Sequence, residues 1–225
     1  MSMKKIFVNT KTGCTSIFMF LLIVSCFAQD KKLEFGIEGG PNISVIYPVN
    51  GYTKIGIGFK AGVSFGFNFS KIFSLRTNIS FERKVATYDA IQFADEEGMF
   101  WGTVKGHTNY DYLVLPVLIR AGFGKKVRCF ANLGPYIGYL IQAKGPYVPI
   151  TYSPNPNETY IFTDNYAKKI DFGFTAGIGL TIPLGDKLAI SLEARNDLSL
   201  QSFWENSPTK LNTTNLLVGF SYGIK

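Results

Sequence analysis

Histidine is almost missing from this chain of 225 residues: His107 is its single example, and cysteine occurs only three times. Cys14 and Cys26 lie at the extreme N-terminus, so only Cys129 remains once that segment is set aside. A disulfide framework within the chain and a thiol-based metal cluster are thereby excluded, and a transition-metal site has few ligands to draw on. No metal and no cofactor is expected. Charge is also scarce, at 17% of residues where soluble domains carry about 25%. Basic runs never exceed a pair, as at Lys125-Lys126 and Lys168-Lys169, and the formal charge of +7 includes Lys4, Lys5 and Lys11 of the N-terminal segment. Such a balance gives no case for nucleic acid as a partner. The apolar run Ile17–Val24 is far shorter than the roughly 20 residues a membrane-spanning helix needs.

What that run does fit is an export signal. Lys4 and Lys5 supply a cationic start, the apolar stretch follows, and Cys26-Phe27-Ala28 offers small residues for cleavage before Gln29. The expected organisation is a leader over 1–28 and one domain over 29–225. A second reading stays open, because Ile23-Val24-Ser25-Cys26 also resembles a lipoprotein processing box that would leave Cys26 lipidated.

Aromatics are plentiful at 15%, and glycine contributes 23 residues. Their arrangement is periodic. From Ile55 to Ser70 every odd position is apolar (Ile55, Ile57, Phe59, Ala61, Val63, Phe65, Phe67, Phe69) and every even one is small or polar. A period of two describes a strand with unlike faces, since a helix face repeats every 3.6 residues. The formal dinucleotide fingerprint Gly56-Ile57-Gly58-Phe59-Lys60-Ala61 falls inside this alternation and lacks the strand–turn–helix setting it requires. Seven further segments alternate likewise: Leu33–Glu38, Phe73–Lys84, Leu113–Gly124, Val127–Gln142, Asp171–Ile182, Leu188–Asp197 and Leu216–Ile224. Short connections at Ser70-Lys71, Lys125-Lys126 and Leu184–Lys187 alternate with long ones at 47–54, 87–110, 144–169 and 201–214. Tight turns on one rim and long loops on the other are the asymmetry of a transmembrane barrel. An all-β fold follows: a single eight-stranded antiparallel transmembrane β-barrel, an up-and-down meander.

The composition of the polar row decides which face meets which solvent. Glycine, serine and asparagine suit the inside of a narrow cylinder, whereas a water-facing exterior would carry longer polar side chains. The same row bears both signs of charge: Glu34, Glu38, Glu82, Asp171, Glu193 and Asp197 against Lys60, Arg76, Arg120, Arg128 and Arg195. Eight strands leave a lumen just filled by side chains, so these groups are expected to pair across it. The apolar row then faces hydrocarbon, making outer-membrane lipid the first partner.

The strand sequences resemble a known family. Tyr112-Leu113-Val114-Leu115-Pro116-Val117-Leu118-Ile119-Arg120, Asn132–Tyr139, Asp171–Gly179 and Glu193-Ala194-Arg195 are similar, in order, to strands of PorT-like, porin-family outer-membrane β-barrel proteins of Bacteroidetes-type bacteria. The resemblance implies an outer-membrane location and, for one lineage, support of protein secretion and gliding. The chain departs from many such barrels in ending on Lys225 rather than an aromatic residue.

Chemistry-bearing residues outside the strands are few. His107 is expected in the second long loop, where a solvated role outweighs a Ser/His hydrolase pair. Asp95-Glu96-Glu97 reads as a solvated acidic triplet. Tyr147, Tyr152, Tyr160 and Tyr166, interspersed with prolines in the third long loop, form either a recognition surface or an aromatic belt at the membrane interface. The expected role is a non-enzymatic component that is structural, binds a partner, or supports a secretion apparatus. Partners would be envelope or secretion-apparatus proteins met by the extracellular loops. A narrow pore of the passive porin kind, or a lipid-modifying enzyme, is the alternative.

Overall fold

A computed structural model describes residues 33–47, 53–94, 100–149, 159–161, 167–202 and 208–224. The expected leader, its cleavage site before Gln29, the Asp95–Glu97 triplet, Tyr152 and Tyr166 lie outside these residues.

All elements among the described residues are strands: β1 (Leu33–Tyr47), β2 (Thr53–Lys54), β3 (Gly56–Asn68), β4 (Phe73–Ala94), β5 (Phe100–Phe123), β6 (Arg128–Pro149), β7 (Thr159–Ile161), β8 (Ile170–Pro183), β9 (Leu188–Ser199) and β10 (Lys210–Ile224). Eight of them form a closed antiparallel ring in the order β1, β3, β4, β5, β6, β8, β9, β10. The ring shuts where β10 returns to β1, from Leu33 opposite Ile224 to Tyr47 opposite Lys210. The two short strands are additions at the long-loop end, β2 against β4 and β7 against β6. Closure leaves no free sheet edge along the wall, the condition for a sheet to cross hydrocarbon. Tight turns at the other end are set by Gly124 and Gly185, whose φ of 115° and 92° lie in the left-handed region that favours glycine.

Through the wall, side-chain alternation sorts the two faces. Ile178 is 68% exposed and Leu133 61%, whereas Lys60 is 1% and Glu82 0% exposed. A wall of exposed aliphatic and aromatic side chains around a charged interior inverts a soluble barrel and suits a lipid solvent. On β4 the outward row runs Phe73, Leu75, Thr77, Ile79, Phe81 before reaching Arg83, which pairs bidentately with Asp111 of β5 at 2.7 and 2.8 Å. On β4 that ion pair ends the outward apolar row, whereas on β3 it continues past Phe59, the partner of Arg83, to the exposed Ile57. Within the band, the Thr77 hydroxyl donates to the Pro116 carbonyl at 2.7 Å, so it is not left unsatisfied in hydrocarbon.

Several expectations need correction. The segment 87–110 is not a loop, because β4 and β5 continue as a paired hairpin to Ala94 opposite Phe100. His107 therefore stands in β5, opposite Thr87 and Tyr147. The third connection also contains strand, since β6 reaches Pro149 and pairs with β7, setting Tyr147 opposite Ile161 and Tyr160 opposite Val148. A register shift between β5 and β6, where Asp111 faces Gln142 but Tyr112 faces Leu140, leaves Leu140 on the inner row but turns Gln142 outward and Ala143 inward. Sequence alternation alone puts Gln142 on the inner row; the extra residue of a bulge reverses it.

Candidate functional site in the barrel interior

The polar row of each strand delivers its side chains to a common lumen, where they meet in layers. Nearest the short turns, Arg76 of β4 binds Glu34 of β1, and Asn68 of β3 donates to the same carboxylate at 2.6 Å. One step further in, Arg195 of β9 grips two carboxylates. Its Nε and Nη2 donate to Glu193 at 2.7 and 2.9 Å, and its Nη1 and Nη2 donate to Glu38 at 2.8 and 3.3 Å. Asn78 supports Glu38, while Asn132 donates to Glu193 at 2.8 Å. Arg120 joins this layer from β5, donating to Asn132 at 2.8 Å and Glu193 at 3.2 Å with its guanidinium 3.8 Å from the Phe130 ring centre. Space for these long side chains comes from the facing strands: a Cβ on Gly66 would collide with the Arg76 guanidinium.

Toward the long-loop end lies a drier layer. Lys60 donates to Asp197 at 2.9 Å, and Asp197 also accepts from Thr175 at 2.6 Å and Asn215 at 3.0 Å. Lys84 donates to Asp171 at 2.9 Å, which accepts further from Ser199 at 2.6 Å and Tyr136 at 3.1 Å. The Lys84 ammonium also sits 5.1 and 5.5 Å from the Tyr112 and Tyr136 rings, within cation–π range. Between the two lysines stands Glu82, 3.7 Å from Lys60 and 4.0 Å from Lys84, with neither carboxylate oxygen hydrogen-bonded. Removing charges from water costs several kcal/mol per ion, so this arrangement holds only because each charge has an opposite neighbour.

Above it the lumen turns apolar. Ile46, Ala86, Tyr110, Tyr112, Val114, Leu140, Ala143 and Leu211 pack into one buried cluster from five strands. The cavity beside it, next to Tyr112, Asp171 and Ser199, has a volume of about 10 Å³, room for a single water. At the opposite end a cavity of about 370 Å³ opens between the short turns and reaches in as far as Asn78, Leu118 and Arg195. Among the described residues the lumen is thus a cup, open at the short-turn rim and filled by side chains toward the other.

Of the charges expected inside, Glu34, Glu38, Lys60, Arg76, Glu82, Arg120, Asp171, Glu193, Arg195 and Asp197 all face the lumen. Arg128 stands at the mouth of the same lumen, lining the cavity without joining the buried ion pairs. It is exposed at the short-turn rim and donates to the Lys71 carbonyl at 2.8 Å, because strand-end side chains escape to water. Lys84 is a full member that charge-counting overlooked, although the strand period already puts it on the inner row. Among the described residues, no group of histidine, cysteine and carboxylates is placed to hold a metal ion. Cys129 is exposed on the apolar wall.

A closed sheet with an apolar exterior and a paired ionic interior is a transmembrane β-barrel. The chain belongs to the outer membrane protein beta-barrel domain family, which matches residues 27–205, and it is an outer-membrane protein. Among solved structures it is similar to OprG from Pseudomonas aeruginosa, at 11% identity, TM-score 0.49, covering 85% of this chain and 95% of that one. It is similar also to Neisserial surface protein A, at 12% identity, TM-score 0.48, covering 84% and 96%. Ail of Yersinia pestis aligns at 13% identity, TM-score 0.44, covering 85% and 98%. No curated protein sequence matches the chain.

Proposed function

We propose that this protein is a non-conducting, non-enzymatic envelope component that carries a stiff β-sheet platform outside the membrane for a protein partner. The observation behind this reading is the mismatch between wall height and strand length. A membrane-crossing strand needs about 9–11 residues, which on β4 is spent by the Arg83–Asp111 pair. Yet β4, β5 and β6 have 22, 24 and 22 residues, while β8 and β9 have 14 and 12. Three neighbouring strands thus rise well beyond the bilayer on one side of the barrel. Conduction finds no support in a lumen closed by two ionic layers and an apolar cap. Similarity of the strand motifs to PorT-like proteins favours a partner from the envelope or a secretion apparatus.

The test is a photo-crosslinking residue at Phe93 in β4, expressed in native cells, beside planar-bilayer recordings of the purified barrel. A discrete protein adduct and a silent bilayer are expected. Steady single-channel currents would overturn the non-conducting reading, and absence of any adduct across positions 89–94 would overturn the platform.

A further inference from the structure

The cup at the short-turn rim is larger than a packing defect. Its volume of about 370 Å³ lies in the range of small-molecule sites, roughly 300–1,000 Å³. Its charged lining is unequal: Arg76, Arg120, Lys125, Arg128, Lys187 and Arg195 against Glu34, Glu38 and Asp186. Arg76, Arg120 and Arg195 are balanced by Glu34, Glu38 and Glu193, so the positive excess lies at the mouth, where Lys125, Arg128 and Lys187 face Asp186. Arg76 and Arg120 enter from neighbouring strands, with Ser74 opposite Arg120 and Arg76 opposite Leu118, so two guanidiniums face one space. Arg120 is the better placed. Its plane is fixed by Phe130, its Nε and Nη2 are held by Asn132 and Glu193, and its side chain keeps 15% exposure. A guanidinium locked this way presents its remaining edge as a fork suited to phosphate or carboxylate.

We infer that this cup is a binding site for a small oxyanion, a phosphate- or carboxylate-bearing metabolite entering from the periplasmic side. Arg120 supplies the oriented donors at the floor, and Lys125 and Arg128 supply charge at the mouth. The site is independent of the extracellular platform, because the ionic layers and the apolar cap separate the two ends.

The test titrates the folded mature barrel, in zwitterionic detergent micelles, with inorganic pyrophosphate and separately with citrate, by calorimetry. Saturable one-to-one binding is expected, weakening as salt rises. Preference for pyrophosphate would identify phosphate as the recognised group, and preference for citrate would identify carboxylate. Arg120→Gln should weaken binding about tenfold, as loss of a charged hydrogen-bond donor does. Should that variant fail to fold, judged by heat-modifiable migration, the rim pair Lys125→Gln with Arg128→Gln carries the test, with a loss of similar size. Lys126→Gln is the control: Lys126 lies on the same rim but not on the cavity wall, and its loss should leave affinity unchanged. No saturable binding to either anion, or an equal loss in the Lys126 control, would overturn the site.

Discussion

Individual side chains divide here by the solvent they meet, and substitutions should be costly for opposite reasons on the two faces. Ile79 is 44% exposed and stands midway along the outward row of β4, between Phe73 near the turn and Arg83 at the far edge. Ile79→Arg should destabilise the barrel by about 2–4 kcal/mol and Phe73→Arg by about 0–1, following depth in the bilayer. Denaturant titration in lipid vesicles measures both, and equal costs would contradict the assignment of Ile79 to the middle of the band. On the inner face the deciding variable is partner number. Asp197 accepts from Lys60, Thr175 and Asn215, whereas Glu82 makes only two long ion pairs and no hydrogen bond. Asp197→Asn strips a fully paired charge from Lys60 and should cost about 3–5 kcal/mol. Glu82→Gln should cost clearly less in the same titration. The reverse order would mean that Glu82, not Asp197, anchors the upper ionic layer.

Strands inherit from these residues a pattern that is readable inside the membrane and fades outside it. Period two was legible wherever one face met lipid, so all eight wall strands, the short turns and ten lumen-facing charged side chains could be taken from sequence. Legibility ended where the lipid did. Beyond Arg83 and Asp111 the sequence no longer alternates apolar with polar, so the paired hairpin of β4 and β5 reads as a loop. The bulge near Ile141 leaves no compositional mark, so Gln142 is assigned to the wrong face. Leu118, Val114 and Tyr112 point inward although apolar, because a narrow lumen needs volume as well as charge. The Tyr147–Tyr166 segment gave no sign that Tyr147 and Tyr160 sit on paired strands. The strand extension carries a topological consequence. An epitope inserted between Ala94 and Phe100 should be reached by antibody on intact cells, while one at Gly185-Asp186, at the short-turn rim, should need permeabilised cells. Labelling of the turn alone on intact cells would invert the orientation.

At the scale of the whole molecule, closure couples the two ends of the chain. β10 pairs along its length with β1 on one side and β9 on the other, so the wall exists only once the last strand has arrived. A soluble sheet that lost an edge strand would expose its backbone groups to water, which can hydrogen-bond them at small cost. In hydrocarbon each such group costs several kcal/mol, and loss of β10 would unpair a full row on both β1 and β9. It would also remove Asn215 from Asp197 and Leu211 and Leu217 from the interior. Ending the chain after Gln201 should therefore abolish folding rather than weaken it, since typical net stability of about 5–15 kcal/mol cannot absorb such a loss. The measurement is gel migration before and after boiling, with protease resistance in vesicles as a second reading. The intact mature chain should show a heat-modifiable, protease-resistant band in the presence of lipid or detergent and should precipitate without either. The truncated chain should show neither the shift nor the resistant band. A folded, resistant barrel lacking β10, or an intact chain that stays monomeric in plain buffer, would mean that the sheet does not depend on closure or on lipid.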